Sequence, residues 1–435
     1  MRWAGIVGLL SLLVVGGPVA AAPSLAAANL PATVTLDDVL SLLETRSPRA
    51  AAERASVAVV AADRVTAQTL PNPTLSYSGL QLVDGTNTGA ASANQVVLEQ
   101  PLLIFGQRGV RTEAADLRTA AEQARVASAL SELRLKVRQA FTTLLARQDE
   151  LGVLEDSLAE LTRVQTIVRG RAAAGDRSRY DVMRIEVQTR TLQVEVANLH
   201  TDITDAAGQL AALLGAPGWQ PRASGSLKPG DVPTEVDQLW ETAQRRRPAL
   251  VAAQRQQAAA YGGITQARRE ALPIPALAAG ALVTNDVYST SAYFGLSLPL
   301  PLFDRNQGAV ARATAEANAE TLALQAEEAE ARAEIERAAA VLRERRATLA
   351  TLESDVAQRV PELRRMAEDA YREGSGGILE LLDAFGSLKD IRLRELQQQE
   401  AARLAEDEVI AAAGLDLPDM DSAVPPPAPD AGRPS

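Results

Sequence analysis

The feature that most limits how this chain can fold is a long stretch without any proline, residues 107–174. Apolar residues recur along it at alternating spacings of three and four, which is the pattern of a coiled-coil seam. The seam positions are Val126, Leu130, Leu133, Val137, Phe141, Leu144, Leu151, Leu154, Leu158 and Leu161. At about 1.5 Å per residue, one helix over this stretch would be about 100 Å long. A compact globular domain cannot hold such a helix, so the sequence predicts a rod or a tube.

Other segments carry the same helical pattern. The seam of the next helix consists of Val182, Ile185, Thr189, Leu192, Val196, Leu199, Ile203, Ala206, Leu210 and Leu213. Residues 305–373 are similar, and we expect Pro361 to kink the helix there because proline removes a backbone hydrogen bond. Alanine, leucine, glutamate, arginine and glutamine dominate the chain and aromatic residues make up only 3% of it, which is typical of long helices.

An internal repeat with an offset of about 200 residues divides the chain into two halves. Residues 70–73 read LPNP where residues 272–275 read LPIP, and residues 101–106 read PLLIFG where residues 299–304 read PLPLFD. Each half is predicted to contain a short helix, a longer helix that begins at a proline, a β-hairpin, and two long helices joined by a glycine-containing turn. The first two helices are predicted at 35–46 and 48–69, and again at 234–246 and 248–271.

The repeat also sets the predicted domain boundaries. These are 1–28 for a signal peptide, 29–217 for the first repeat, 218–233 for a Gly/Pro-rich connector, 234–415 for the second repeat and 416–435 for a tail that cannot pack. The helical hairpins are expected to turn near residues 175 and 375.

The two predicted β-hairpins, at about 74–103 and 276–300, have the pattern of membrane-crossing strands. Between residues 288 and 298, apolar side chains alternate with small or polar ones, as in strands that face lipid on one side and water on the other. Ordinary soluble hairpins are the alternative. Four strands per chain cannot close a barrel, and open strand edges are not tolerated in lipid, so membrane-spanning hairpins require several chains.

The N-terminal 28 residues have the pattern of a cleaved secretory signal. Arg2 precedes an apolar run over residues 6–15, and small residues follow it up to residue 28. A membrane anchor is the alternative, but the run is shorter than the roughly 20 apolar residues that cross a bilayer. We therefore expect the mature protein to be secreted across the inner membrane.

Composition excludes several functions. The net charge of −11 argues against nucleic-acid binding, which needs a basic surface. The chain has no cysteine and a single histidine, His200. This composition argues against a thiolate metal site, an HExxH motif and a histidine-based catalytic triad. Residues 374–377 (GSGG) are better interpreted as a turn between helices than as a phosphate-binding loop. We expect no enzyme activity, no cofactor and no bound metal site.

Three motifs and the two hairpin tips point to a known family. The motifs are 70–73 (LPNP), 105–108 (FGQR) and 298–308 (LPLPLFDRNQG). With them, nearly the whole mature chain resembles the TolC-like outer-membrane efflux family, and in particular the outer-membrane factors of cobalt–zinc–cadmium type resistance–nodulation–division exporters. The run at 298–308 is the most specific match. Some members carry a lipid on an N-terminal cysteine, which this chain lacks, so anchoring would rest on the barrel.

The resemblance implies the assembly and the partners. The expected fold is mainly α with a small β part: a long antiparallel coiled-coil helical barrel continuous with a transmembrane β-barrel, with two structural repeats and four strands per chain. A homotrimer would form a twelve-stranded barrel in outer-membrane lipid, with the helices in the periplasm. A periplasmic adaptor and an inner-membrane resistance–nodulation–division pump would be the partners.

The resemblance also assigns the helical-hairpin tips to adaptor docking and to a gate. The docking residues are Gly175, Asp176, Gly374 and Ser375. The gate candidates are Arg171, Arg177, Arg179, Asp181, Arg372, Glu373 and Glu380. We expect contacts between neighbouring hairpins to pair the four arginines with Asp176, Asp181, Glu373 and Glu380 and to hold a closed tip together. The alternative is that these are ordinary solvated charges at helix ends.

The expected function is therefore passive export of heavy-metal cations through an electronegative trimeric tunnel. Two alternatives remain open. The chain could be an outer-membrane duct for multidrug efflux or type I protein secretion, or it could be a periplasmic coiled-coil adaptor. An adaptor should carry a single β-domain in one place, rather than two hairpins 200 residues apart.

Overall fold

The computed structural model describes residues 30–85, 92–175, 178–285, 289–356 and 359–417. The first half contains β1 (Thr33–Val34), α1 (Leu36–Arg46), α2 (Pro48–Gln68), β2 (Thr74–Gln81), β3 (Ser92–Pro101), α3 (Gln107–Ala173) and α4 (Arg179–Leu214). The second half contains β4 (Arg222–Ala223), α5 (Val236–Arg246), α6 (Pro248–Glu270), β5 (Ala276–Thr284), β6 (Thr290–Ser297), α7 (Gln307–Thr351), α8 (Val360–Glu373) and α9 (Ile378–Ala413). The chain is mainly helical with a small sheet. Of the helices in these ranges, none has the length and apolar character needed to cross a membrane.

Local sequence signals set the starts of the short helices. Thr35 caps α1, since its hydroxyl accepts a hydrogen bond from the Asp38 backbone N–H at 3.3 Å and the Asp38 carboxylate accepts one from the Thr35 N–H at 2.9 Å. Pro48 and Pro248 occupy the first turns of α2 and α6, where a missing N–H costs nothing. The predicted short and proline-initiated helices are confirmed to within two residues.

The predicted long helix is confirmed as α3, which spans 67 residues. It packs along α2, α4, α6 and α9, and most of its seam is buried, with Val137 and Leu144 fully inaccessible. Near the end of α4 the buried position moves from the predicted Leu213 to Leu214. An α-helix has 3.6 residues per turn, so a strict spacing of 3.5 drifts around its surface.

The expectation of one kinked helix over residues 305–373 is wrong. α7 ends at Thr351, a π-helical turn follows over Leu352–Val356, and α8 begins at Val360. Pro361 lies in the first turn of α8. Proline cannot donate the hydrogen bond required inside a helix, and the first turn of a helix is the place that tolerates it.

One four-stranded antiparallel sheet contains both hairpins, in the order β2–β3–β5–β6. The two halves of the chain are joined by the β3–β5 pair, in which Val97 lies opposite Gly280. The predicted hairpins are confirmed, although the two turns (residues 86–91 and 286–288, the latter including the predicted strand residue Tyr288) lie outside the described residues.

The two faces of this sheet differ in polarity. One face presents mostly large apolar side chains: Leu75, Tyr77, Val96, Leu98, Leu277, Val283, Phe294 and Leu296. On the opposite face small and polar side chains predominate: Thr74, Ser76, Ser78, Gln95, Ala278, Gly280, Ser291, Gly295 and Ser297. Leu80, Val97, Leu282 and Tyr293 are the larger apolar or aromatic side chains on that face. Phe294 is 81% exposed and Leu296 is 70% exposed, so the apolar face is uncovered in the single chain. The alternation predicted for residues 288–298 is confirmed over Thr290–Ser297 and extends to all four strands.

Glycine at position 280 permits the β3–β5 pairing. A Cβ atom there would overlap the backbone carbonyl oxygen of Val96. At Gly295, on the same face of β6, a Cβ would instead meet the end of the Tyr293 side chain, 2.8 Å from its hydroxyl. A side chain can rotate away, whereas a paired backbone cannot.

We expect Gly280→Ala to weaken the sheet by about 1–3 kcal/mol, because the new methyl group forces the strands apart. The matched control Gly295→Ala should be close to the wild type. Samples of the detergent-purified protein are heated to increasing temperatures before gel electrophoresis. The measurement is the temperature at which the band of the folded form disappears. Equal loss in both variants would contradict the close approach at Gly280.

Candidate functional site

The two helical hairpins end in turns built around left-handed glycines. Gly175 follows α3 with φ of 83°, and Gly374 follows α8 with φ of 82°. Neither would place a Cβ within 4 Å of another atom, so the backbone conformation, not space, is what favours glycine. At the second tip, the Ser375 and Gly376 backbone N–H groups donate to the Ala370 carbonyl oxygen at 3.0 and 2.9 Å. Gly175, Gly374 and Ser375 are exposed.

Two of the gate candidates predicted from the sequence accept hydrogen bonds from residues three positions earlier in the chain. Asp181 accepts from the Ser178 hydroxyl at 3.1 Å at the start of α4. Glu380 accepts from the Gly377 N–H at 3.2 Å at the start of α9. Ser178 caps α4, because its hydroxyl accepts from the Asp181 backbone N–H at 3.2 Å and the Asp181 carboxylate holds that hydroxyl. The Glu380 carboxylate caps α9 directly through the Gly377 N–H.

The remaining gate candidates are differently placed. Arg372 forms an ion pair with Asp369 of its own helix at 3.0 Å. Within the described ranges of one chain, Arg179 and Glu373 are exposed and form no side-chain hydrogen bond or ion pair, and the expected arginine–carboxylate pairs are not formed. Asp176 and Arg177 lie outside the described residues.

Arg171 is the predicted gate residue that joins the two hairpins. Its guanidinium donates to the backbone carbonyl oxygens of Tyr371 at 3.3 Å and Arg372 at 3.0 Å. The expected partner was a carboxylate. The structure instead places Arg171 against the C-terminal turn of α8, where carbonyl groups lack helical partners and attract a positive charge.

A second link between the hairpins was not predicted. The Arg364 guanidinium of α8 donates to the Glu160 carboxylate of α3 at 2.7 Å and lies 3.4 Å from Glu368. It also lies over the Phe385 ring, 5.7 Å from the ring centre, in a cation–π arrangement. Arg364, Glu160 and Phe385 line a groove between the hairpins together with Arg171 and Tyr371.

The repeat offset is the sequence signal that could have found these links. Arg171 contacts a residue 200 positions away, Glu160 and Arg364 are 204 apart, and Lys389 pairs with Glu195 across 194 positions at 3.0 Å. Corresponding levels of the two halves therefore lie side by side. Heptad patterns do not predict these contacts, because they do not identify which helix packs against which.

Away from the tips, α3 and α9 enclose a buried layer of charged groups. Asp407 is fully inaccessible, accepts from the Thr142 hydroxyl at 3.3 Å and lies 3.8 Å from Arg138. Arg138 also contacts Asp416 at 3.3 Å, so the first residue of the predicted tail is held against α3. A second group pairs Arg147 with Glu150 and Glu400 at 2.5 and 3.1 Å.

Burial dominates the electrostatics of this layer. It raises the pKa of Asp407 to about 6, and Arg403, Arg138 and the Thr142 hydrogen bond only partly offset the effect. Burial also raises the pKa of Glu400, against the attraction of Arg147. Loss of water destabilises the charged form of a carboxylate, which is the cause of both shifts.

We expect Asp407→Asn to stabilise the folded protein at about pH 8, because the buried position then carries no charge. A pKa of about 6 in place of 3.8 corresponds to about 3 kcal/mol. The folded wild type binds the proton more tightly than the unfolded chain, so its stability rises as the pH falls from about 6 to about 4. The advantage of D407N should disappear over that window, measured as the thermal unfolding midpoint in detergent.

The control for this measurement is Asp156→Asn, an exposed carboxylate on α3. It should leave the pH profile of the unfolding midpoint unchanged. A D407N profile that runs parallel to that of the wild type from about pH 8 to pH 4 would contradict the assignment.

These features define an elongated helical protein that carries a sheet with one apolar face at one end and paired helical tips at the other. Residues 39–216 and 239–415 match the family model for outer membrane efflux proteins, and the chain belongs to that family. The family is one of transport ducts rather than enzymes. Within the described part of the chain, no cluster of three potential metal-ligating side chains occurs.

Named relatives and solved structures agree with this assignment. The chain is 26% identical to the cobalt-zinc-cadmium resistance protein CzcC of Cupriavidus metallidurans, over 76% of this chain and 78% of the relative. It is also 26% identical to the nickel-cobalt-cadmium resistance protein NccC of Alcaligenes xylosoxydans xylosoxydans, over 75% and 73% of the two chains. The crystal structure of CusC has the same fold, with a TM-score of 0.72 and 18% identity over 87% of this chain and 92% of that chain.

Proposed function

We propose that the chain is the outer-membrane exit duct of a tripartite efflux system and that heavy-metal cations pass through it passively. The duct is a homotrimer with its sheet in outer-membrane lipid and its helices in the periplasm. The observation that carries this proposal is the four-stranded sheet, which has one uncovered apolar face and two unpaired edges, β2 and β6.

The unpaired edge strands β2 and β6 favour a closed ring made of several copies of the chain. In hydrocarbon each unpaired backbone N–H and C=O group costs several kcal/mol, so a lone four-stranded sheet is not stable there. If β6 of one chain pairs with β2 of the next, three chains give twelve strands without an open edge. The apolar face then meets lipid and the polar face lines the pore. The two halves of the chain act as structural repeats within the ring.

The metal substrate is proposed from the relatives. Two of them are named for resistance to cobalt, zinc, nickel and cadmium. A periplasmic adaptor and an inner-membrane resistance–nodulation–division pump would be the partners. The coiled-coil adaptor alternative is disfavoured because the two hairpins, distant in sequence, pair into one sheet through β3 and β5.

We further propose that the tips dock the adaptor and contain the gate. Gly175 and Gly374, with Asp176 and Ser375, form the docking turns. Arg171 latches the two hairpins of one chain, while Arg177, Arg179, Arg372 and Glu373 remain for contacts between chains. Each exposed pair contributes only about 0–1 kcal/mol, so a closed state needs several of them in all three copies.

The duct is tested by placing an arginine on either face of β6. Phe294→Arg puts a charge near the middle of β6 on the apolar face and should cost about 2–4 kcal/mol in lipid, so the trimer should be depleted from the outer membrane. Tyr293→Arg, the preceding residue, puts the same charge on the opposite face and should assemble. The measurement is membrane fractionation followed by mass determination in detergent. A wild-type protein that is a stable soluble monomer would contradict the proposal.

Docking is tested at the first tip. Gly175→Ile should abolish metal tolerance conferred with the partner pump while the trimer remains intact, because a β-branched residue with positive φ strains the turn by about 1–3 kcal/mol. Gly170→Ile, in the last turns of α3 with nothing within 4 Å of its Cβ, is the matched control. If both variants export normally, the tip turns are not the docking surface.

A further inference from the structure

Glu99 is the only charged side chain in the four strands β2, β3, β5 and β6. It lies near the end of β3, which stops at Pro101, shortly before α3 begins at Gln107. Its position is therefore the junction between the sheet and the helical rod. A single carboxylate in an otherwise uncharged sheet needs a physical explanation.

The strand register places Glu99 on the small and polar face. Glu99 lies opposite Thr74 of β2 and Ala278 of β5, and Ala278 lies opposite Gly295 of β6. None of these neighbours is large enough to cover the carboxylate. The adjacent residue Leu98 points to the apolar face.

The carboxylate of Glu99 is not neutralised by an ion pair within the described residues. It takes part in no ion pair or hydrogen bond within the described part of the chain. The side chain is partly exposed on the polar face. Its negative charge is therefore directed into the space that the polar face encloses.

We propose that Glu99 of three copies forms a ring of carboxylates in the wall of the pore, at the junction of sheet and helices, and that this ring makes the duct select cations over anions. The inference rests on the trimeric duct proposed above and adds the residue that sets its charge preference. Rings of acidic side chains attract cations and repel anions, and low-dielectric walls focus the field along the pore.

The second half of the chain does not add to the ring. Counting from the matching runs at 101–106 and 299–304, the position that corresponds to Glu99 is Ser297. Three copies therefore carry three carboxylates rather than six. Serine at the corresponding position makes Glu99→Ser the substitution that copies the second half of the chain.

The test is the reversal potential of the purified wild-type trimer in planar lipid bilayers under a KCl gradient. The wild type should favour potassium over chloride. Glu99→Gln should reduce the permeability ratio severalfold towards one, and Glu99→Ser, which copies the second half, should do the same. Gln95→Glu adds a second carboxylate to the same face of β3 and should raise the ratio.

The matched control is Asn94→Ser, which makes a neutral change on the opposite face of β3 and should leave the permeability ratio unchanged. If both Glu99 variants conduct with the wild-type ratio, the ring does not set selectivity and the inference is wrong, although the duct stands. A wild-type protein that forms no channel would overturn the duct and the ring together.

Discussion

The antiparallel pairing of β3 with β5 holds the two halves of this chain in register, and the rest of the structure depends on it. α3 begins six residues after the end of β3, and β5 begins six residues after the end of α6, so the strand pairing limits where these helices can run. At the far end of the rod, Arg171 and Arg364 join the hairpins again through partners about 200 residues away. The two halves are thus aligned along their whole length.

The buried charges between α3 and α9 complement that alignment. Long apolar seams repeat every seven residues, so two helices can slide past each other by a heptad with little loss of packing. The pairs of Arg147 with Glu400 and Arg138 with Asp407 oppose such a slip, because any other register would leave a buried charge without its partner. Removing these charged groups from water costs free energy, as the raised pKa of Asp407 indicates. The layer therefore contributes to the register of α3 and α9 rather than to the net stability of the fold.

The single chain is incomplete as a folded object. Its sheet leaves β2 and β6 unpaired and exposes large apolar side chains such as Phe294 and Leu296. Water disfavours the apolar face and lipid disfavours the open edges, so neither solvent suits one copy alone. In the duct that we propose, ring closure in a membrane would satisfy both requirements and would place the polar face, with Glu99, around a common axis.

The sequence alone determined the elements and the two faces of the sheet. The absence of proline and the 3-4 spacing fixed α3 to within a residue, and prolines at 48 and 248 fixed two helix starts, because these signals act over one or two helical turns. It predicted one helix kinked at Pro361 where the structure has α7, a π-helical turn and α8, since the effect of a proline on a helix depends on whether packing can compensate for the lost hydrogen bond. Only the tertiary structure decided that Arg364 meets Glu160 and that Arg171 meets backbone carbonyls rather than a carboxylate. Those contacts depend on which helices lie side by side and at what height, and a local pattern of apolar and charged residues does not specify either.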